Sequence, residues 1–251
     1  MILARITGIF LFTPLLSSNS IPVVFKAMLA FMFAVAIFPF VPTQTLPAVI
    51  DLPSLAPMLF TELLIGLIIG LIAGLPMVAI QMGGYLMGYQ MGLSLAESFN
   101  PELDTNSSVV GQLLFYLSIF IYITVGGFET IFIILTDSFF TIGSGTFGAG
   151  DTPIELLLSV LNSGFELAIR VASPIMAVVS LLMISMGFIM KTMPQINIMS
   201  IGFSIQIIAG LSIMMVLIGT IGMIAGDEML HVLEEIHAWV WSFGLIGVRH
   251  G

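Results

Sequence analysis

Long uninterrupted apolar runs constrain the fold of this chain more than any other feature. Residues 111–136, 165–190 and 196–225 are such runs. Each reaches the roughly 20 residues that an α-helix needs to cross the hydrocarbon of a membrane, whereas a membrane β-strand would alternate over about ten positions. Charged residues make up only 8% of the chain, against roughly 25% in soluble domains. The sequence therefore predicts an all-α integral membrane protein.

The sequence is expected to form a single multi-pass helical domain over residues 1–251, with about six apolar helical segments. The three other segments are residues 2–16, residues 27–41, and residues 58–96 as either one helix or two helices bent near Pro76. The first of them carries Arg5 before an apolar run and superficially resembles a signal peptide. No A-x-A-like cleavage site follows, so a first membrane helix is the favoured interpretation.

Polar stretches between the apolar segments define the remaining regions. A soluble connector is expected at about residues 137–164, and Pro153-Ile154-Glu155 within it suits the start of a helix. Pro174 is expected to interrupt the helix formed by residues 165–190. The tail at about residues 226–251 is amphipathic, and we expect it to lie at a membrane interface.

Composition and motifs disfavour an enzyme and a nucleic-acid-binding protein. The net charge is −9 without a basic patch, so nucleic acid is not an expected partner. The absence of cysteine excludes disulfides and thiolate chemistry. No phosphate-binding glycine loop or nucleophile motif occurs, and no cofactor is expected. A solvated helix face is favoured over a metal site for the tail residues His231, Glu234, Glu235 and His237, which do not form H-E-x-x-H.

Two glycine series repeat at every fourth position: Gly66, Gly70 and Gly74, then Gly84, Gly88 and Gly92. This spacing places each series along one helix face, where a neighbouring backbone can approach closely. Because glycine lowers helix propensity, tight packing has to offset the cost. Packing within the chain and packing between subunits fit the pattern equally well.

Several ionisable residues lie inside the apolar runs. Glu166 and Arg170 are four positions apart, so an ion pair on one helix face is expected. Without a partner, a charge at mid-membrane costs roughly 3 kcal/mol. Glu62 and Glu129 have no partner nearby in sequence. Each is either a proton or ion site, a contact to another subunit, or a residue that reaches the interface.

The helix before Asn100-Pro101 has a polar edge opposite its second glycine series. Gly83, Gln90 and Glu97 are seven positions apart, so they share one face. A helix that is small on one side and polar on the other suits a site between helices or along an aqueous path better than a lipid surface. Methionines such as Met91 add adaptable apolar surface.

Three stretches spread over nearly the whole chain resemble one family. They are the opening ARITGIFLFTPLLSSNSIPVVFKAMLAF, the run GYQMGLS at residues 88–94 with Asn100-Pro101, and MPQINI at residues 193–198 with Gly202-Phe203. Together they are similar to the motifs of the FliR family of flagellar type III export-gate proteins and its injectisome homologues. Two positions depart from the usual motifs, Asn100 in place of Asp and Ser204 in place of Pro.

The resemblance implies a non-enzymatic subunit of a hetero-oligomeric export gate, built of broken helical hairpins, in the bacterial inner membrane at the flagellar basal body. Its implied partners are FliP-like and FliQ-like subunits, FlhB, FlhA, membrane lipids, and unfolded rod, hook and filament proteins in transit. It also implies that the loop at about residues 97–110 plugs the closed channel. The gate and plug residues are then Gln90, Met91, Phe99, Asn100, Pro101 and Glu102.

The alternative is a secondary transporter of a small solute or an ion. Glu62, Glu129 or Glu166 would then be the coupling site, because ionisable groups inside a membrane commonly serve transport. Such transporters are commonly built from internal repeats, and no repeat is evident in this sequence.

Overall fold

A computed structural model of the chain describes residues 1–13, 22–41, 52–93, 108–142, 153–192 and 198–247. These residues form seven α-helices and one 3₁₀ turn at Phe38–Phe40, and no strand. The helices are α1 (Ile2–Phe12), α2 (Val23–Ile37), α3 (Leu52–Gln90), α4 (Val109–Thr124), α5 (Gly127–Thr141), α6 (Ile154–Thr192) and α7 (Ile198–Gly247). The predicted all-α class is confirmed.

Four helical stretches are long and apolar enough to cross a membrane: Val23–Phe40, Leu55–Gln90, Ile154–Thr192 and Ile201–Phe243. A fifth span exists if the bent pair α4 and α5 is counted as one. Helix α1 has 11 residues, too few to cross a hydrocarbon layer about 30 Å thick at 1.5 Å per residue. It lies against the rest of the protein instead, with Arg5, Ile6 and Ile9 buried.

The expected span at residues 111–136 is wrong as one continuous helix. Helices α4 and α5 meet at an angle of 63°. Gly126 lies between them with φ +74°, a left-handed conformation that side-chain-bearing residues rarely adopt. Beside it, a Cβ on Gly127 would come within 2.6 Å of the Tyr122 ring. The Gly-Gly pair therefore ends one helix and lets a buried tyrosine cover the start of the next.

The connector expected at residues 137–164 is shorter than predicted. Its first residues complete α5, and α6 already begins at Ile154. The Pro153 carbonyl accepts a hydrogen bond from the Leu157 amide at 2.9 Å, which confirms the predicted helix start. Val160 and Leu167 are buried seven residues apart, so a helical apolar face extends through this part of the expected connector.

The prolines interrupt the helices less than predicted. Helix α3 is continuous from Leu52 to Gln90, through Pro76. Helix α6 likewise contains Pro174 without ending there. A proline removes one backbone hydrogen bond, and the turns on either side remain helical in both cases.

The tail and the last apolar span form one helix of 50 residues, α7. Met229, Val232, Leu233, Ile236 and Val240 are all buried, at the spacing of a single helix face. This apolar face is therefore covered by protein, and the expected position of the tail at a membrane interface stays a prediction. No group of three His, Cys, Asp or Glu side chains among the described residues suits a metal ion.

The chain divides into two compact units. Unit 1 comprises Met1–Leu75, Tyr122–Leu161 and Met229–Gly251, and unit 2 comprises Pro76–Ile121 and Asn162–Glu228. Each unit gathers segments that are far apart in sequence. Helices α3, α4, α6 and α7 each contribute residues to both units.

Candidate functional site

A fully buried charged cluster joins three helices of unit 1. The Arg5 Nε of α1 donates to Glu62 Oε2 of α3 at 2.7 Å, and the Arg5 Nη1 donates to Ser138 Oγ of α5 at 2.9 Å. Arg5, Glu62 and Ser138 are each 0% exposed. The guanidinium carbon lies 4.2 Å from the ring centroid of Phe139, so an aromatic face also contacts the cation.

Glycines bring the backbones of α1 and α3 together beneath this cluster. A Cβ on Gly66 would collide with the Arg5 carbonyl, and one on Gly70 would lie 2.8 Å from the Ile9 carbonyl oxygen. From the other helix, a Cβ on Gly8 would collide with the α3 backbone. Gly66 and Gly70, the first two glycines of their series, thus pack within the chain.

The Arg5–Glu62 pair accounts for Glu62, whose role the sequence left open between an ion site, a subunit contact and a residue at the membrane interface. Its carboxylate is not a free ion site, because Oε2 accepts a hydrogen bond from the Arg5 guanidinium at 2.7 Å. Burial lowers the pKa of Arg5 from its ordinary value, while the neighbouring Glu62 acts in the opposite direction. An arginine nevertheless stays protonated in proteins. The pair is therefore a buried contact that joins α1 to α3.

The other charges of the apolar runs lie at the surface. Glu129 is exposed in the first turn of α5, where the positive end of the helix dipole favours an acid. Glu166 and Arg170 are exposed on α6. The expected pair between them is not among the ion pairs of the described residues, a correction that fits the small gain of exposed helical pairs.

The end of α3 in unit 2 carries the predicted gate residues Gln90 and Met91. The Gln90 Nε2 donates to Ser180 Oγ on α6 at 2.9 Å. Met91 is completely buried and contacts α7, where a Cβ on Gly210 would lie 2.6 Å from the Met91 Cε. Gly92 then ends the helix with φ +81°, the usual role of a glycine just after a helix.

The second glycine series also packs within the chain. A Cβ on Gly84 would lie 2.7 Å from the Gly111 Cα, and one on Gly88 would collide with the Ser108 side chain. Both partners belong to the start of α4. A Cβ on Gly92 would lie 3.0 Å from the Phe203 ring of α7. The second series therefore contacts two different helices.

Gly88, near the end of α3, contacts Ser108, the first described residue after segment 94–107. The predicted plug residues Phe99, Asn100, Pro101 and Glu102 lie outside the described residues, and their role stays a prediction. Gln206, which the sequence reasoning missed, is 6% exposed. Its Oε1 lacks a hydrogen-bond partner in the part of the chain that the structure describes.

The site residues that were not predicted have only weak signals in the sequence. Gln206 is a polar residue within the run 196–225, and Arg5 and Glu62 are opposite charges in two apolar segments. No short-range spacing connects Arg5 to Glu62, because 57 positions separate them. Ser180 and Ser108 resemble many other small polar residues of membrane helices.

Fold and site together define a helical membrane protein whose longest helices pack through glycine faces. The family described as bacterial export proteins, family 1, matches residues 1–232. The chain belongs to this family, and the predicted resemblance to FliR is confirmed. It is therefore a membrane-embedded bacterial export protein.

Characterised relatives match along nearly their whole length. The flagellar biosynthetic protein FliR of Escherichia coli (strain K12) is 27% identical over 237 residues, which cover 93% of this chain and 90% of the relative. FliR of Bacillus subtilis (strain 168) is 24% identical, with 94% and 92% covered. FliR of Aquifex aeolicus (strain VF5) is 26% identical, with 93% and 90% covered.

Proposed function

We propose that this protein is a structural and gating subunit of the flagellar type III protein export channel in the bacterial inner membrane. The observation that carries the proposal is the family match over residues 1–232, supported by relatives named flagellar biosynthetic protein FliR over 93% of the chain. The subunit is required for export of rod, hook and filament proteins, and hence for flagellum assembly. It contributes no enzymatic step and no cofactor.

Its partners in this proposal are FliP-like and FliQ-like gate subunits, with FlhB and FlhA beside them. Exposed apolar side chains along α2 and α6, including Phe25, Phe31 and Phe188, offer surfaces for neighbouring subunits and for membrane lipids. A gate that passes varied unfolded chains has no need of specific recognition, and adaptable methionines suit a seal of that kind.

Gating is assigned to the end of α3 and the loop that follows it. Gln90 and Met91 are held by Ser180 and Gly210, so the helix end is a fixed base for the loop at about residues 97–110. In the closed channel this loop acts as the plug. The transporter alternative has less support, because Glu62 is paired with Arg5 and Glu129 and Glu166 are exposed.

The proposal is tested by deleting the gene in its own host and measuring hook and filament proteins in the culture medium. Export and filaments should be lost, and a plasmid copy should restore both. Affinity purification of a tagged copy should recover FliP-like and FliQ-like subunits. A deletion strain that still builds filaments would refute the proposal.

The plug is tested separately by deleting residues 98–106. The purified complex should keep its subunit composition, because the deletion leaves the contact between Gly88 and Ser108 in place. Its ion conductance should rise. Deleting residues 143–150 of the α5–α6 connector is the control, which should leave conductance unchanged. If the plug deletion does not change conductance, the loop does not close the channel.

A further cross-link separates a gate from an assembly factor that never lines the channel. A photoreactive residue at Phe99 should form an adduct with an export substrate stalled in the channel. The same group at Phe188, exposed on α6, is the control and should not. Absence of any substrate adduct at Phe99 would favour the assembly role.

A further inference from the structure

Unit 1 contains a partly open apolar cavity of about 180 Å³. Three of its walls come from α1, α2 and α5. Representative lining residues are Ile9 and Thr13 at the end of α1, Leu29 and Phe33 on α2, and Phe132 and Leu135 on α5. The rings of Phe33 and Phe132 lie 4.4 Å apart between centroids, so α2 and α5 are in direct contact beside the cavity.

Water is a poor occupant of this cavity. The lining has one side-chain hydroxyl, that of Thr13, which donates to the Ile9 carbonyl within its own helix at 2.8 Å. A buried water needs two to four polar partners, and an engineered apolar cavity of about 150 Å³ in another protein stays dry and binds benzene or xenon. An apolar ligand of similar size is therefore the occupant that the lining favours.

The surroundings of the cavity indicate where such a ligand comes from. Helix α2 forms one wall and belongs to a candidate membrane span, Val23–Phe40. Phe25, Met28, Phe31 and Met32 of this helix are exposed, an apolar surface that suits contact with hydrocarbon. If Val23–Phe40 crosses the membrane, acyl chains adjoin the helix that forms this wall of the cavity.

We propose that the cavity is a binding site for the end of a phospholipid acyl chain. The volume holds roughly the last half-dozen carbons of a chain, by comparison with benzene in a cavity of about 150 Å³. Binding there fills the space between α1, α2 and α5 that protein side chains leave open. None of its lining residues is among the proposed gate or plug residues, and its test does not depend on export.

The test uses the full chain in phosphatidylcholine nanodiscs that contain a phosphatidylcholine with a diazirine at the acyl terminus. After irradiation, mass spectrometry should locate adducts at Phe33 or Phe132, together with adducts at exposed Met32. Adducts at Met32 without any in the cavity would refute the proposal.

A cavity-filling variant provides the control for the route of labelling. Leu29→Trp should abolish the adducts at Phe132, whereas Met32→Trp on the exposed side of the same helix should leave them. Leu135→Phe is a second filling variant, used if Leu29→Trp does not fold. Persistent Phe132 adducts in a folded filling variant would refute the proposal. If the adducts disappear when the chain co-purifies with gate subunits, a partner side chain fills the cavity in the complex. That result would also refute the proposal.

Discussion

The Arg5–Glu62 pair is the residue-level feature with the largest expected energetic effect. Both side chains are completely buried, so each has lost its hydration and depends on the other. Replacing both members of a buried pair with apolar residues is often tolerated, whereas removing one leaves an uncompensated charge. The pair therefore fixes where α1 lies on α3 without necessarily adding net stability.

Glu62→Leu should destabilise the purified protein by about 3–5 kcal/mol, because the Arg5 charge would remain buried and unpaired. The double variant Arg5→Met with Glu62→Leu should recover most of this loss. Thermal unfolding in detergent measures both. Arg170→Met, at an exposed position of α6, is the control and should change little. A double variant as unstable as the single one would show that the pair itself is not the cause.

Gly66→Ala should be destabilising, by about 1–3 kcal/mol or more, because the added methyl group meets rigid backbone rather than a movable side chain. The site of collision is the Arg5 carbonyl of α1. Gly187→Ala is the matched control, since no atom lies within 4 Å of its Cβ position and alanine favours a helix by about 1 kcal/mol. Equal unfolding temperatures for the two variants would contradict the close packing of α1 on α3.

Among the elements, the break between α4 and α5 departs most from the sequence pattern. Hydropathy favours one span at residues 111–136, yet the two helices are bent by 63°. A Gly-Gly pair in an apolar run is compatible with close helix packing and with a break in the helix. Only the surrounding tertiary contacts determine which of the two occurs. Here Gly126 takes a positive φ while Tyr122 covers Gly127. The start of α6 was predictable because Pro153 and Glu155 are local signals.

Gly126→Ala should destabilise the bend by about 1–2 kcal/mol, because a left-handed conformation is costly for a residue with a Cβ. The effect is conformational and not steric, since nothing lies within 4 Å of the added atom. Gly126→Asn should cost less, because asparagine tolerates this region better. Thermal unfolding compares the two, and an alanine variant as stable as the original would argue against the left-handed bend.

For the molecule as a whole, composition was sufficient to predict the all-α membrane class, and the motifs were sufficient to predict the family. Neither determined which helix surfaces are covered by other parts of the protein. The tail illustrates the reason. An amphipathic helix with Met229 and Val232 on one face suits a lipid surface and a protein surface equally well. Only the fold reveals that protein covers it. The Arg5–Glu62 contact was hidden similarly, because its 57-residue separation exceeds any local pattern.

Assembly should change the accessibility of α6 in a specific pattern. Glu166 and Arg170 are exposed, and each would cost roughly 3 kcal/mol at the centre of a bilayer, so their turns should lie outside the hydrocarbon. The neighbouring Phe165 and Ile169 are nonetheless 53% and 60% exposed. Because apolar side chains beside charges do not suit lipid and gain by leaving water, we expect gate subunits to cover this part of α6.

The absence of cysteine makes single-cysteine labelling a direct measurement of this pattern. Single cysteines replace Phe165, Ile169, Leu181 or Ile184 in four variants. In nanodiscs containing the chain alone, a membrane-impermeant maleimide should label the first two variants. It should not label the last two, whose positions lie in the most apolar part of α6. In the complex purified with FliP-like and FliQ-like subunits, the first two positions should become protected. Labelling that stays the same on assembly would mean that partners do not cover these turns. Protection at Phe165 in the chain alone would instead place the charges within the membrane, since only lipid would then be present to shield them.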